Sequence, residues 1–135
     1  MADTLSDLER LQGTWSVTAL VVDGNALPTK VFAAMRLIVE GDRFTTVGME
    51  TAYSGTLKLD PSAKPPALDM LFDEGPEKGN TNRGIYEFTP GEFEDDDTWR
   101  LCLATRGDER PKTFASPAGT GIALETLERD HNSTE

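Results

Sequence analysis

The chain has 135 residues, the length of one domain (1–135) that can bury a proper core without staples. A formal net charge of −11 sets it against nucleic acid and anionic membrane surfaces as partners, and its 37% apolar, 27% charged composition is that of a globular rather than a disordered chain. The single cysteine, Cys102, excludes an internal disulfide, and no apolar run approaches the roughly 20 residues of a membrane-spanning helix.

Residues 4–11 carry Leu5, Leu8 and Leu11 at helical spacing, with Thr4 placed to cap and Asp7 three residues on, which predicts a short N-terminal helix. Gly13 breaks it. From Thr14 to Val22 the period becomes two, with Trp15, Val17, Ala19 and Val21 on one face and Thr14, Ser16, Thr18, Leu20 and Val22 on the other. That is a long first strand, ended by the turn signal Asp23-Gly24-Asn25. Residues 28–34, with Val31 and Phe32, suit one or two helical turns, read as a packed connection in preference to a lid over a barrel mouth.

A second strand over 35–40 turns at Gly41-Asp42 into a third over 43–47. The fourth, about 52–59, puts Tyr53, Gly55, Leu57 and Leu59 in phase, with Gly55 a point of bulge or bend. After the loop 60–66, the fifth strand (67–72) alternates through Leu68, Met70 and Phe72, and the polar stretch 73–82 reads as a solvated loop. The sixth strand (83–89) carries Tyr86 and Phe88. Pro90-Gly91 opens an acidic turn with Glu92, Glu94, Asp95, Asp96 and Asp97. The seventh (98–105) sets Trp99, Leu101 and Leu103 against Arg100, Cys102 and Ala104. An irregular link (106–121), an eighth strand (122–129) and a tail (130–135) complete the chain.

Eight strands joined mostly by short turns predict an all-β fold: an eight-stranded antiparallel up-and-down barrel with two short helical segments. No segment of crossover length separates the strands, so a parallel sheet is disfavoured. The inward phase joins Trp15, Tyr53, Leu57, Met70, Phe72, Tyr86, Phe88, Trp99 and Leu101 with further aliphatic residues. That set is bulky enough to fill most of such a barrel, with Ala19, Thr46 and Gly55 as the small positions that leave room.

Gly13-Thr14-Trp15 at the head of strand one and Arg129 near the end of strand eight resemble the lipocalin and fatty-acid-binding (calycin) pattern. The resemblance implies closure of one barrel end by Gly13, Trp15 and Arg129, the guanidinium lying against the indole in a contact worth about 0.5–2 kcal/mol. The segments Leu-Gln-Gly-Thr-Trp (11–15), Arg-Leu-Ile-Val-Glu-Gly-Asp-Arg-Phe (36–44), Gly-Thr-Leu-Lys-Leu-Asp-Pro (55–61), Glu-Gly-Pro-Glu-Lys-Gly (74–79), Gly-Ile-Tyr-Glu (84–87), Leu-Cys-Leu-Ala (101–104) and Arg-Pro (110–111) are similar, in order, to a bacterial lipocalin-like family abundant in planctomycetes. That family has no established activity, so the resemblance implies a fold and no catalytic residues. The chain departs from it in the longer acidic turn 91–97 and in starting directly at the domain, where many relatives look exported.

The chemistry of the remaining residues points the same way. The acids of 92–97, and Asp73, Glu74 and Glu77 around Gly75-Pro76, lack the spacing of a calcium loop and read as solvated tips. One cysteine and one histidine, His131 in the tail, supply neither a zinc set, a haem ligand nor a nucleophilic triad, so no metal, cofactor or catalytic constellation is expected. Cys102 reads as a buried inert thiol. Of the acids within strands, Asp69 and Glu87 fall in the outward phase. Glu125 shares the phase of Leu127 and Arg129; facing inward, its pKa would rise unless paired, and the simpler expectation is that a twist or bulge in strand eight brings it to water.

The function expected is therefore non-catalytic binding of a small hydrophobic or amphipathic ligand inside the barrel, with Trp15, Tyr53, Leu57, Met70, Phe72, Tyr86, Phe88, Trp99 and Leu101 facing it. The alternative is a filled barrel that serves as a protein-interaction or scaffold module through the turn 91–97 or the loop 73–82. A weaker one is an isomerase or cyclase using Glu125, Tyr53 or Tyr86. Asp3, Asp7 and Glu9 stand where a signal peptide would be basic and then apolar, so a cytoplasmic location is expected.

Overall fold

The computed structural model describes residues 7–48, 52–75, 77–91, 97–105 and 109–129; the Thr4 cap, the acidic residues 92–96 and the tail with His131 lie outside the described residues. The chain runs α1 (Asp7–Arg10), β1 (Gly13–Val22), β2 (Asn25–Ala26), α2 (Thr29–Phe32), β3 (Arg36–Glu40), β4 (Arg43–Val47), β5 (Ser54–Asp60), β6 (Ala67–Glu74), β7 (Thr81–Thr89), β8 (Thr98–Ala104) and β9 (Ile122–Arg129). Strands pair antiparallel in the order β2-β1-β3-β4-β5-β6-β7-β8-β9, and β1 also pairs with β9. That last pairing closes the sheet into an eight-stranded barrel, with the two-residue β2 as an appendage on the end of β1. Closure leaves the barrel strands without a free edge along most of their length, which removes the unpaired backbone groups that template pairing with other strands.

Alternating strand direction sorts the connections to two ends. One end holds α1, the β3–β4 turn and the β5–β6 and β7–β8 connections; the other holds the β4–β5, β6–β7 and β8–β9 connections. Most of the largest side chains gather toward the first end. Leu11, Trp15, Phe44, Leu68, Tyr86, Trp99 and Leu127 are all buried there or just above it. Trp15 meets Trp99 and Phe88 edge to face, with ring centroids 5.4 and 6.4 Å apart. The Trp15 indole N–H donates to the Leu11 carbonyl at 2.9 Å. The Arg129 guanidinium lies 4.3 Å over the Trp15 ring and donates to the carbonyls of Arg10 and Gln12. Gly13, at φ +116°, keeps that site open: a Cβ there would sit 3.1 Å from Arg129 Nη1. Gln12 ties the segment to the β3–β4 turn, its Nε2 donating to the Gly41 carbonyl and its Oε1 accepting from the Gly41 N–H, each at 2.7 Å.

Several local readings change. In β1 the register against β9 shifts between Val17 and Ala19, so one extra residue, Thr18, is accommodated as a bulge. The inward face is therefore Trp15, Val17, Leu20 and then Val22; Leu20 is buried and Ala19, expected inside as a small position, is exposed. β6 and β7 run past their expected limits to Glu74 and from Thr81, so the supposed loop 73–82 shrinks to a tight hairpin in which the Gly79 N–H donates to the Phe72 carbonyl at 2.8 Å. Asp97 is buried rather than solvated. It accepts from the Gly91 N–H at 3.1 Å and faces Arg129 Nε at 3.4 Å.

The irregular link is a second layer. Ala67, Ile85, Cys102 and Ala104 face outward yet are buried, beneath the segment 109–117. Arg110 fastens that segment, with Nη1 2.7 Å from Asp69 and donating to the Gly84 carbonyl at 2.9 Å. The Cys102 thiol donates to the Thr113 carbonyl at 3.3 Å, and burial pushes its pKa up. Arg100 stacks on Phe114 at 4.3 Å while pairing with Glu87 at 2.7 Å. At the other end of the barrel, the residues 28–34 behave as a packed connection: Phe32 of α2 is buried in the core.

Candidate functional site

The bulky side chains do not fill the barrel. Above the aromatic floor lies a cavity of about 430 Å³. That volume is within the range of small-molecule sites. Val17 of β1, Leu37 of β3, Met70 and Phe72 of β6, and Leu101 and Leu103 of β8 make its apolar walls. Each arrives by the same rule: strands present alternate residues to the interior, and cross-strand partners share a face. Thus Leu101 pairs with Glu125 and Leu103 with Ala123 across β8 and β9, and all four border the cavity.

Polar groups are few and lie mostly toward the mouth, the end that carries the β4–β5 and β6–β7 connections. Arg36 comes from the start of β3, Thr46 and Tyr53 from either side of the β4–β5 connection, Glu77 from the β6–β7 hairpin, Asn82 from β7 and Thr105 from beyond β8, with the apolar Met35 just before β3. Most of these have partners in the protein. Arg36 donates to the Ala33 and Met35 carbonyls at 3.0 and 2.9 Å. The Thr46 hydroxyl accepts from the Tyr53 N–H at 2.9 Å, Glu77 accepts from Asn80 at 2.9 Å, and Thr105 donates to the Gly121 carbonyl.

Glu125 stands apart as a charged group deeper in the wall. It is half-buried on the wall of the cavity, opposite Leu20 on β1 and Leu101 on β8. The register of β9 against β8 runs unbroken, so no bulge in the last strand delivers it to water; the bulge lies in β1 instead. Burial pushes its pKa from 4.5 up to about 7, and among the described residues no cation or hydrogen-bond donor acts against that. Asp69 and Glu87, by contrast, face outward and pair with Arg110 and Arg100.

The residues expected to face a ligand separate into two groups. Tyr53, Met70, Phe72 and Leu101 border the cavity. Trp15, Leu57, Tyr86, Phe88 and Trp99 do not; they belong to the packed interior below or beside it. Tyr86 is the clearest correction, because its hydroxyl donates to Asp7 on α1, at the closed end, instead of pointing into the cavity. Its pKa rises through burial first and then through that carboxylate. Residues that the sequence reading did not place at the site include Met35, Arg36, Asn82 and Thr105, all at strand ends, where alternation gives the least guidance.

No protein-family model matches the chain, and neither curated proteins nor solved structures yield a match. Among the described residues no helix is long and apolar enough to cross a membrane.

Proposed function

We propose that this protein is a lipocalin-like carrier that binds one small apolar or amphipathic molecule inside its barrel, without chemical conversion. The observation that carries the reading is the cavity of about 430 Å³ with aliphatic and aromatic walls and a polar mouth. A barrel built only as a scaffold gains stability from every side chain that fills its interior. Here the filling is concentrated at the end sealed by Trp15 and Arg129, and the space above it is lined by Val17, Leu37, Met70 and Leu103. Apolar walls of that size favour uptake of an apolar body, and the mouth residues Tyr53 and Asn82 favour a polar head or tail near solvent.

Native mass spectrometry of purified protein, with and without the neutral dye Nile red, tests this. One equivalent of an extractable or added apolar molecule is expected. Ala123→Phe, which places a ring into the cavity from β9, is expected to abolish uptake while circular dichroism shows a folded barrel. Protein that takes up no neutral apolar molecule, or takes it up equally after Ala123→Phe, contradicts the proposal.

A further inference from the structure

We propose that the cavity selects a protonated amine attached to an apolar body, with the Glu125 carboxylate as its counter-ion. The inference rests on the carrier reading above and deepens it to a ligand class. Its basis is geometric. Glu125 projects from β9 into the interior, between Leu101 on one neighbouring strand and Leu20 on the other. Among the described residues no hydrogen-bond donor or cation reaches it. An acidic side chain in that position is costly unless something pairs with it. The described residues supply no partner, and Glu125 borders the cavity.

The charges of the described residues around the cavity disfavour a fatty acid. Among the described residues, the charged groups bordering it are Glu125 on β9, Glu77 on the β6–β7 hairpin and Arg36 on β3, and the Tyr53 phenol is the other titratable group. Arg36 already donates to two backbone carbonyls, and Glu77 already accepts from Asn80. An entering carboxylate would meet two acids against one guanidinium, on a chain of net charge −11. A neutral ligand would displace water from Glu125 and return nothing. An ammonium returns the lost solvation as an ion pair in a medium where such pairs are strong. The raised pKa of Glu125 agrees with this reading, because a cation is what would bring it down.

The test is a matched series of one chain length, decylamine, decanol and decanoate, each kept below its micelle-forming concentration and competed against Nile red. At about pH 8 decylamine is expected to bind about tenfold or more tighter than decanol, and decanoate weakest. Glu125→Gln should bring decylamine to the level of decanol without weakening decanol. In the unmodified protein the advantage of decylamine over decanol should shrink as pH falls through about 7 and disappear once Glu125 is protonated, while decanol affinity does not fall. That pH series decides the matter even if the glutamine variant fails to fold. Decanol binding with no advantage for the amine, or an amine advantage that survives Glu125→Gln, overturns the amine proposal and leaves the carrier reading standing. Binding of none of the three overturns both.

Discussion

A carboxyl group whose pKa rises from 4.5 to about 7 holds its proton more tightly in the folded barrel than in the unfolded chain. Between those two values the folded state therefore binds more protons, and the contribution of Glu125 to stability falls as pH rises. Below the lower value both states are protonated and the effect vanishes; above the higher one it is complete, at up to about 3 kcal/mol. Glu125→Gln is expected to stabilise the empty protein near pH 8 and to leave it nearly unchanged near pH 4, read as the difference between urea midpoints of the two proteins at each pH. A uniform effect at both values would contradict the burial of this carboxylate. The two tryptophans make a second contrast. Trp15 has its N–H on Leu11 and its face under Arg129, whereas the buried Trp99 N–H has no partner among the described residues. Trp15→Phe should therefore cost about 2–4 kcal/mol and Trp99→Phe about 1 kcal/mol less, since the second change also removes an unpaired polar atom. The inward phase of Tyr86 was legible from alternation; Glu125 shares the phase of Leu127, but the simpler expectation of a bulge to water in the last strand is overturned by the unbroken β8–β9 register. Their height along the barrel axis was not legible, because it depends on how far each strand is staggered against its neighbours.

At the scale of elements, bulges decide which alternation wins. β1 is apolar on both faces from Ala19 to Val22, so its sequence reads equally well in either phase, and the extra residue at Thr18 selects Leu20 for the core. Nothing in the strand alone marks that choice; the pairing with β9 does. Gly55 was easier to read, because a glycine within a strand signals bending or close approach. The register shift between β5 and β6 falls at Ser54/Gly55, and a Cβ on Gly55 would lie 1.9 Å from the Leu71 carbonyl oxygen. Gly55→Ala is expected to cost about 3 kcal/mol or to prevent folding, measured by thermal melting. The segment 109–117 was illegible for a different reason: it has no period, and its role as a cover exists only once β6, β7 and β8 present Ala67, Ile85, Cys102 and Ala104 to it. Arg110→Ala removes its anchor to Asp69 and Gly84. That change should raise the reaction rate of Cys102 with a thiol reagent by about tenfold or more through local opening, with far-ultraviolet circular dichroism unchanged. An unaltered rate would show that Arg110 does not hold the cover down.

The whole molecule is an asymmetric container. At one end an indole, a guanidinium and backbone carbonyls form a seal; at the other, strand ends and connections surround an opening into apolar space. The closed barrel was legible because turn signals and alternation repeat eight times, and eight short antiparallel strands have few arrangements that bury one face of each. An interior ligand was the leading expectation, but the place of the cavity along the barrel axis was not legible. The inward residues are bulky enough in sum to fill most of the interior, yet most of the large rings gather toward the sealed end, while the other half is lined by Tyr53 and Phe72 with smaller or unbranched residues such as Val17, Met35, Thr46, Met70 and Ala123. Side-chain volume summed over a barrel does not say where along its axis that volume lies. The most direct measurement is a nuclear magnetic resonance titration of the protein with decanol. Saturable shifts confined to Val17, Leu37, Met70, Leu101, Leu103 and Ala123, with Trp15 and Trp99 unmoved, are the predicted result; shifts scattered over the outer face, or none at saturation, would contradict an interior binding site.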